Sequence, residues 1–358
     1  MELQAFNQFL GAAVKAGASD IHFKAGVVPA IRVNGELRAI RVPALRPEDT
    51  AAIAGHVLTA ARWRGDLDAL QEVDTSYALE GVSRFRASVF RQKGCLATIL
   101  RAIPYSVPTL DQLGLPAVVK KIAGEERGLV LVTGITGSGK TSTLAAIVDQ
   151  INRSSRKHVV TIEDPIEFLH EDRSSRITQR EVGPDTPSFS SALRAALRQD
   201  PDVVLVGEMR DLETIEIAIK AAETGHLVLS TAHTTDATRT IHRLVGAYPA
   251  EAQAGVRSRL AEALQAVVSQ RLLARADGKG RALACEVLVT SLGIQECIRD
   301  ADKTSGIKDL MEKGRDLYGT QSFDQHLTQL YNAKVITLET AKEAASNASD
   351  LERALSFE

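Results

Sequence analysis

Little in this sequence could build a disulfide framework, a zinc centre or a membrane span. Its 358 residues hold three cysteines, Cys95, Cys285 and Cys297, and no two of them have the Cys-x-x-Cys spacing of a zinc or redox pair. An odd set of widely spaced thiols fits a reducing compartment, with each cysteine a small core residue. No stretch approaches the roughly 20 apolar residues of a bilayer span. The start, MELQAFNQFLGAAVKAG, lacks the basic flank and apolar run of a signal peptide. The expectation is a cytoplasmic chain that does not insert into a membrane and reaches one only through a partner. Aromatic residues make up 4% and the formal net charge is −2. That argues against direct nucleic-acid binding, which uses basic surfaces and stacking rings. Internal repeats and low-complexity tracts are absent as well. What remains is ordinary globular composition, long enough for two cores.

The first hundred residues have the texture of a small α+β domain. Leu3, Phe6, Leu10 and Val14 recur at helical spacing over residues 3–16. A short strand follows at Ser19-Asp20-Ile21-His22-Phe23, then two β-prone runs, 30–33 and 36–40, around Asn34-Gly35. Asn-Gly there is a strong hairpin signal because both residues accept positive φ. Residues 48–61 are Ala-rich and helical in pattern, and strands return at 75–80, 83–91 and 95–102. The expected N-terminal domain is 1–103, and the Pro-rich segment 104–116 is the expected linker.

From Leu129 the pattern changes. Short β-rich runs at 129–132, 158–162, 202–206 and 226–230 alternate with helical segments. Such alternation predicts an α/β sheet with crossover helices and nucleotide chemistry at the strands' C-terminal ends. Residues 251–275 read as one amphipathic helix with Val256, Leu260, Leu264, Val267 and Leu272 on one side. The expected second domain is 117–358, with short helices from about 290 to the end.

The most specific signal is Gly134-Ile135-Thr136-Gly137-Ser138-Gly139-Lys140-Thr141. It fits G-x-x-x-x-G-K-[ST] in full, after a strand and before a helix. Glycines let the backbone curl so that its N–H groups face an anion, and a helix start adds partial positive charge. Lys140 neutralises β- and γ-phosphates, and Thr141 offers its hydroxyl to Mg²⁺. The nucleotide-contacting set is therefore Gly134, Thr136, Gly137, Ser138, Gly139, Lys140, Thr141 and Ser142, with ATP and Mg²⁺ as ligands. Glu208, just past the strand in DVVLVGEMRD, is the candidate to orient or deprotonate the attacking water and to meet Mg²⁺ partly through water. The bland alternative is a surface salt bridge. Glu163, Asp164 and Glu167 crowd three acids into five positions. They either face a cation or form a solvated acidic loop.

These blocks, in this order, resemble the secretion ATPases of type II secretion and type IV pilus systems, and residues 177–237 are most similar to their retraction branch. Similarity also covers ASDIHF, AIRVNGEL, RFRASVF and SQRLLARADGKGR, hence nearly the whole chain. The resemblance implies a RecA-like P-loop ATPase core of α/β class with a smaller PAS-like N-terminal α+β domain. It implies a homohexameric motor that powers pilus retraction and twitching motility, acting on a platform protein of the inner membrane, with a paralogous retraction ATPase as a further partner. It assigns Glu163, Asp164 and Glu167 to an acidic box, Glu208 to general base catalysis, His233 to sensing the γ-phosphate and His226 to the same histidine box. It also implies that Arg84, Arg86 and Arg101 of the N-terminal domain complete a site lying between the domains. Arg84 and Arg86, two apart on a strand, share one face; the bland alternative is a solvated basic face. Arg194 and Arg198, four apart on one helix face, fit structural salt bridging.

Three departures stand out. Ile135 replaces the family's usual proline, His233 follows Ala232 rather than leucine, and the family's Ala-Ile-Arg-Ala-Gly-Glu motif is here Glu296-Cys297-Ile298-Arg299-Asp300-Ala301-Asp302. Alternatives within the superfamily are a pilus-extension or type II secretion motor, which typically carries a four-cysteine zinc module, and an accessory ring protein. A nucleic-acid translocase on the same core is the rival from another class.

Overall fold

The computed structural model describes residues 1–33, 35–61, 63, 65–103 and 106–356. Asn34 of the expected turn, and Pro104 and Tyr105 at the head of the expected linker, lie outside the described residues. The chain forms two units. One comprises residues 1–107 together with 163–170 and 181–187; the other holds the remainder.

The first unit begins with α1 (Leu3–Lys15), which buries Phe6, Leu10 and Ala13 at helical spacing. Strands β1 (Ala18–Lys24), β2 (Ala30–Val33) and β3 (Glu36–Ala39) follow, then α2 (Pro47–Ala60), β4 (Glu72–Leu79), β5 (Ser83–Gln92) and β6 (Cys95–Ile103). The sheet order is β3-β2-β1-β6-β5-β4, and each neighbouring pair is antiparallel. In β5 the odd positions Ser83, Phe85, Ala87 and Val89 are buried, while Arg84, Arg86 and Ser88 are less so. That strict alternation is what one packed and one open face require. Phe85, Ile21, Phe23 and Leu100 join Phe6, Ile53 and Val57 of the helices in one core.

The second unit runs through α3 (Val118–Ile122), β7 (Gly128–Thr133), α4 (Lys140–Ser154), β8 (His158–Glu163), β9 (Arg176–Glu181), α5 (Phe189–Ala196), β10 (Val203–Val206), α6 (Leu212–Glu223), β11 (Leu227–Ala232) and α7 (Ala237–Val245). After these come α8 (Gln253–Ala263), β12 (Leu264–Ala274), β13 (Arg281–Val289), α9 (Leu292–Arg299), α10 (Ile307–Lys313), α11 (Arg315–Tyr318), α12 (Phe323–Asn332), α13 (Leu338–Ala344) and α14 (Ala348–Ser356). The sheet order is β13-β12-β7-β11-β10-β8-β9. Strands β7, β10 and β11 are buried at every position, as central parallel strands must be when both faces are covered. Leu110 and Leu115, in the segment expected as a linker, are buried in this unit's core.

The expected helix over 251–275 is corrected: helix α8 stops at Ala263, and Leu264–Ala274 is a strand. The apolar spacing is helical, yet β12 pairs in parallel with β7 and antiparallel with β13. Its Ala266, Val267 and Val268 are buried on consecutive positions. A segment wedged between two strands is apolar on both faces, and spacing alone does not separate that from a helix. Strands β9 and β13 also had no counterpart in the sequence expectation.

Candidate functional site

The glycine-rich loop leaves β7 and enters α4 with the geometry its composition predicts. Gly139 caps α4 at φ 93°, a conformation that strains any other L-residue. Gly134 is needed for space: a Cβ there would lie 2.5 Å from Ser138 Oγ and 2.6 Å from the Gln270 carbonyl oxygen. The loop is thus pressed against β12. Lys140 Nζ donates to the carbonyls of Gly134 at 2.9 Å and Ile135 at 3.0 Å, which folds the ammonium back over the loop. Burial lowers the Lys140 pKa, opposed by the charge of Glu208. Ser138 Oγ is buried with no hydrogen-bond partner among the described residues. Thr141 is exposed on the first turn of α4.

Glu208 lies two residues past the end of β10. Two hydroxyls on the neighbouring strand anchor that exit: Ser230 Oγ donates to the Val206 carbonyl and Thr231 Oγ1 to the Gly207 carbonyl, each at 2.7 Å. Glu208 Oε1 sits 2.7 Å from Arg210 Nε and 3.3 Å from His233 Nε2. The structure therefore brings Glu208 and His233 together, and the Glu208 charge reaches Lys140. His226 belongs elsewhere. It precedes β11 while His233 follows it, so a strand's length of roughly 20 Å separates them. Its Nδ1 meets the Ala221 carbonyl at 3.0 Å. Arg194 pairs with Glu213 on the surface, in keeping with a structural role.

The acidic box and the arginines lie in the first unit. Glu163 and Glu167 are half-buried and Asp164 is exposed, with Ile166 and Phe168 buried between and beyond them. Arg84 forms an ion pair with Glu181 at 3.2 Å, the side chains 13% and 8% exposed. Glu181 Oε2 also accepts from the Ile166 N–H at 3.0 Å and the Ser76 hydroxyl at 3.4 Å. One carboxylate therefore ties the acidic loop to β4 and β5. Burial raises the Glu181 pKa, against the Ile166 bond and the Arg84 charge. Burial lowers that of Arg84, against the charges of Glu181 and Glu163. Arg86 faces Asp74 at 3.5 Å, and Arg101 binds Asp20 through Nε at 2.8 Å.

Several contributors had no signal of their own in the sequence expectation. Glu181 sits inside the similar block 177–237 but carries no motif role, and Asp20 is one letter of ASDIHF. Gln270 supports the loop by donating to Thr143 Oγ1 at 2.7 Å.

The comparisons agree with one another. The Type II/IV secretion system protein family matches residues 2–355. The type IV pilus retraction ATPase PilT of Pseudomonas aeruginosa is 45% identical over 338 residues, spanning 94% of this chain and 97% of that one. The type IV pilus ATPase PilU of the same organism is 39% identical, spanning 97% and 90%. A solved structure of the pilus retraction motor PilT with bound ADP superimposes with a TM-score of 0.87 at 45% identity, covering 97% of this chain and 98% of that one. The fold is therefore a RecA-like P-loop ATPase core with a smaller N-terminal domain, and this chain belongs to the type II/IV secretion system protein family.

Proposed function

We propose that this chain is an ATP-hydrolysing motor subunit that powers type IV pilus retraction. The observation that carries the reading is near end-to-end similarity to PilT, 45% identical over 94% of the chain, with every chemical group of the loop retained. The residues fit a nucleoside triphosphate with Mg²⁺. Among the described residues, Ser138 Oγ is a buried polar atom with no partner, and Lys140 holds its charge over the loop's carbonyls, where a phosphate anion would draw it.

In this reading the N–H groups of residues 136–142 cradle the phosphates, and Lys140 offsets their charge. The Thr141 hydroxyl, with Glu208 through water, would hold Mg²⁺, which supplies charge stabilisation at the β- and γ-phosphates. Glu208 aligns a water and accepts its proton, with Arg210 and His233 fixing the carboxylate. His233 reports the outer phosphate. Arg84, Arg86 and Arg101 add guanidinium groups, whose planar forks suit spread phosphate charge, while Glu181 and Glu163 set the charge around Arg84. Six copies form the ring, which works at the cytoplasmic face of the inner membrane on a pilus platform protein, alone or with a paralogous ATPase. Among the described residues, no helix is long and apolar enough to cross a membrane.

Purified Glu208→Gln is expected to bind a fluorescent ATP analogue within about threefold of the unmodified protein and to lose on the order of 10²–10⁴-fold in turnover. Wild-type turnover in this variant sinks the general-base assignment. In cells, loss of the gene should leave excess pili that do not retract, whereas bald cells would mark an extension motor.

A further inference from the structure

The open face of the first unit's sheet carries a row of side chains that is not contiguous in the sequence. Strand register pairs Arg32 of β2 with Asp20 of β1, Asp20 with Arg101 of β6, and Arg101 with Arg86 of β5. Residues that face one another across neighbouring strands point to the same side of the sheet. Three guanidinium groups thus share one row with one carboxylate.

We propose that Asp20 is the positioning residue of this row: it grips Arg101 by Nε, faces Arg32 with its other oxygen, and so presents the end of the Arg101 guanidinium to a phosphate anion. The inference rests on the reading that Arg101 meets the nucleotide.

Geometry separates the anchor from the group it presents. Arg101 Nε donates to Asp20 Oδ1 at 2.8 Å, and Arg32 Nε lies 3.8 Å from Oδ2. The Asp20 side chain is 10% exposed, whereas that of Arg101 is 66% exposed. Among the described residues, the terminal nitrogens of Arg101 donate to no protein acceptor, so the two-pronged end is open. The Ser19 hydroxyl donates to Asp20 Oδ2 at 2.9 Å. Burial works to raise the Asp20 pKa, but the bonds from Arg101 and Ser19 outweigh it and leave the group an anion. A neutral residue would hold Arg101 less firmly.

Charge balance points to an anionic ligand. Arg86 stands directly opposite Arg101, and like charges at facing positions destabilise a sheet. Asp74 answers Arg86 only at 3.5 Å, with both side chains about half exposed. The row therefore retains positive charge that a phosphate would relieve. Arg84 is different, because Glu181 and Ser76 already occupy its Nη2.

A double-mutant cycle on the full chain tests this, with kcat/KM for ATP as the readout and thermal unfolding as a check on folding. Arg101→Ala is expected to lower kcat/KM by about 10–100-fold and Asp20→Asn by about tenfold. In the Arg101→Ala background, Asp20→Asn should cost less than about twofold, because the two act as a unit. If Asp20→Asn takes its full factor in that background, Asp20 acts only as a strand staple and the proposal is overturned. Arg101→Ala at the wild-type rate overturns the nucleotide reading of the arginine itself and the proposal with it. Should Asp20→Asn fail to fold, Asp20→Glu, which keeps the charge but displaces it, replaces it in the same cycle, and loss of additivity again decides.

Discussion

The loop of the second unit and the arginine face of the first both concentrate positive charge, and they do so by opposite means. The loop uses backbone N–H groups and one lysine within eight consecutive residues, pinned between β7 and β12 by the absence of a Cβ at Gly134. The arginine face collects guanidinium groups from three strands, β2, β5 and β6, and holds two of them, Arg84 and Arg101, with carboxylates remote in sequence. Backbone geometry is set by local residue choice, whereas a side-chain row depends on register. The loop should therefore fail through loss of a single group or a single contact, and the face through loss of a partner.

The largest expected effect is at the loop. Lys140→Ala should reduce ATP turnover by on the order of 10²–10³-fold, read in a phosphate-release assay, with weakened nucleotide binding. Unchanged turnover there would erase the contrast. Next is Glu181→Ala, which leaves the buried Arg84 charge unpaired and the Ile166 N–H without its acceptor. It should cost roughly 3 kcal/mol in urea unfolding, and a cost under 1 would mean that the face needs no carboxylate anchor. Gly134→Ala should destabilise by about 1–3 kcal/mol through overpacking against Ser138 and the Gln270 carbonyl, measured the same way.

A fourth expectation concerns pH. Burial raises the Glu286 carboxyl from 4.5 to about 7, against its bond from the Ala237 N–H. Between those values the folded chain keeps a proton that the unfolded chain has lost. This contribution to stability is complete below pH 4.5, falls as pH rises through 7 and is flat above. Glu286→Gln keeps an acceptor for Ala237 and removes the titration. Its stability relative to wild type should climb by roughly 1–3 kcal/mol from pH 5 to 8, and a constant difference would refute the assignment. The smallest effect is Asp74→Ala, under about 1 kcal/mol, since the Arg86 pair is solvent-exposed.

Much of this was legible before any coordinates. The loop, Glu208 and the start of α4 are written contiguously, because a strand, a tight turn and a helix N-terminus are local structures. The alternation in β5 gave away the shared face of Arg84 and Arg86. The anchors were not legible. Asp20 is 81 residues from Arg101 and Glu181 is 97 from Arg84, and only strand register and loop packing bring them together. The β12 segment was misread because burial on both faces imitates a helical stripe. His226, grouped with His233 by resemblance, sits at the far end of the same strand.

One feature of β12 reaches beyond the loop it supports. Gln270 touches the start of α4 through Thr143, while its neighbour Arg271 stacks over the Phe323 ring at 3.9 Å and bonds the Ala344 carbonyl. Successive strand residues face opposite ways, so a single rod feels the phosphate cradle on one flank and the C-terminal helices on the other. A slip of that strand by one position would turn both side chains to the opposite face and break both contacts. One strand therefore fixes both the first turns of α4 and the packing of the C-terminal helices.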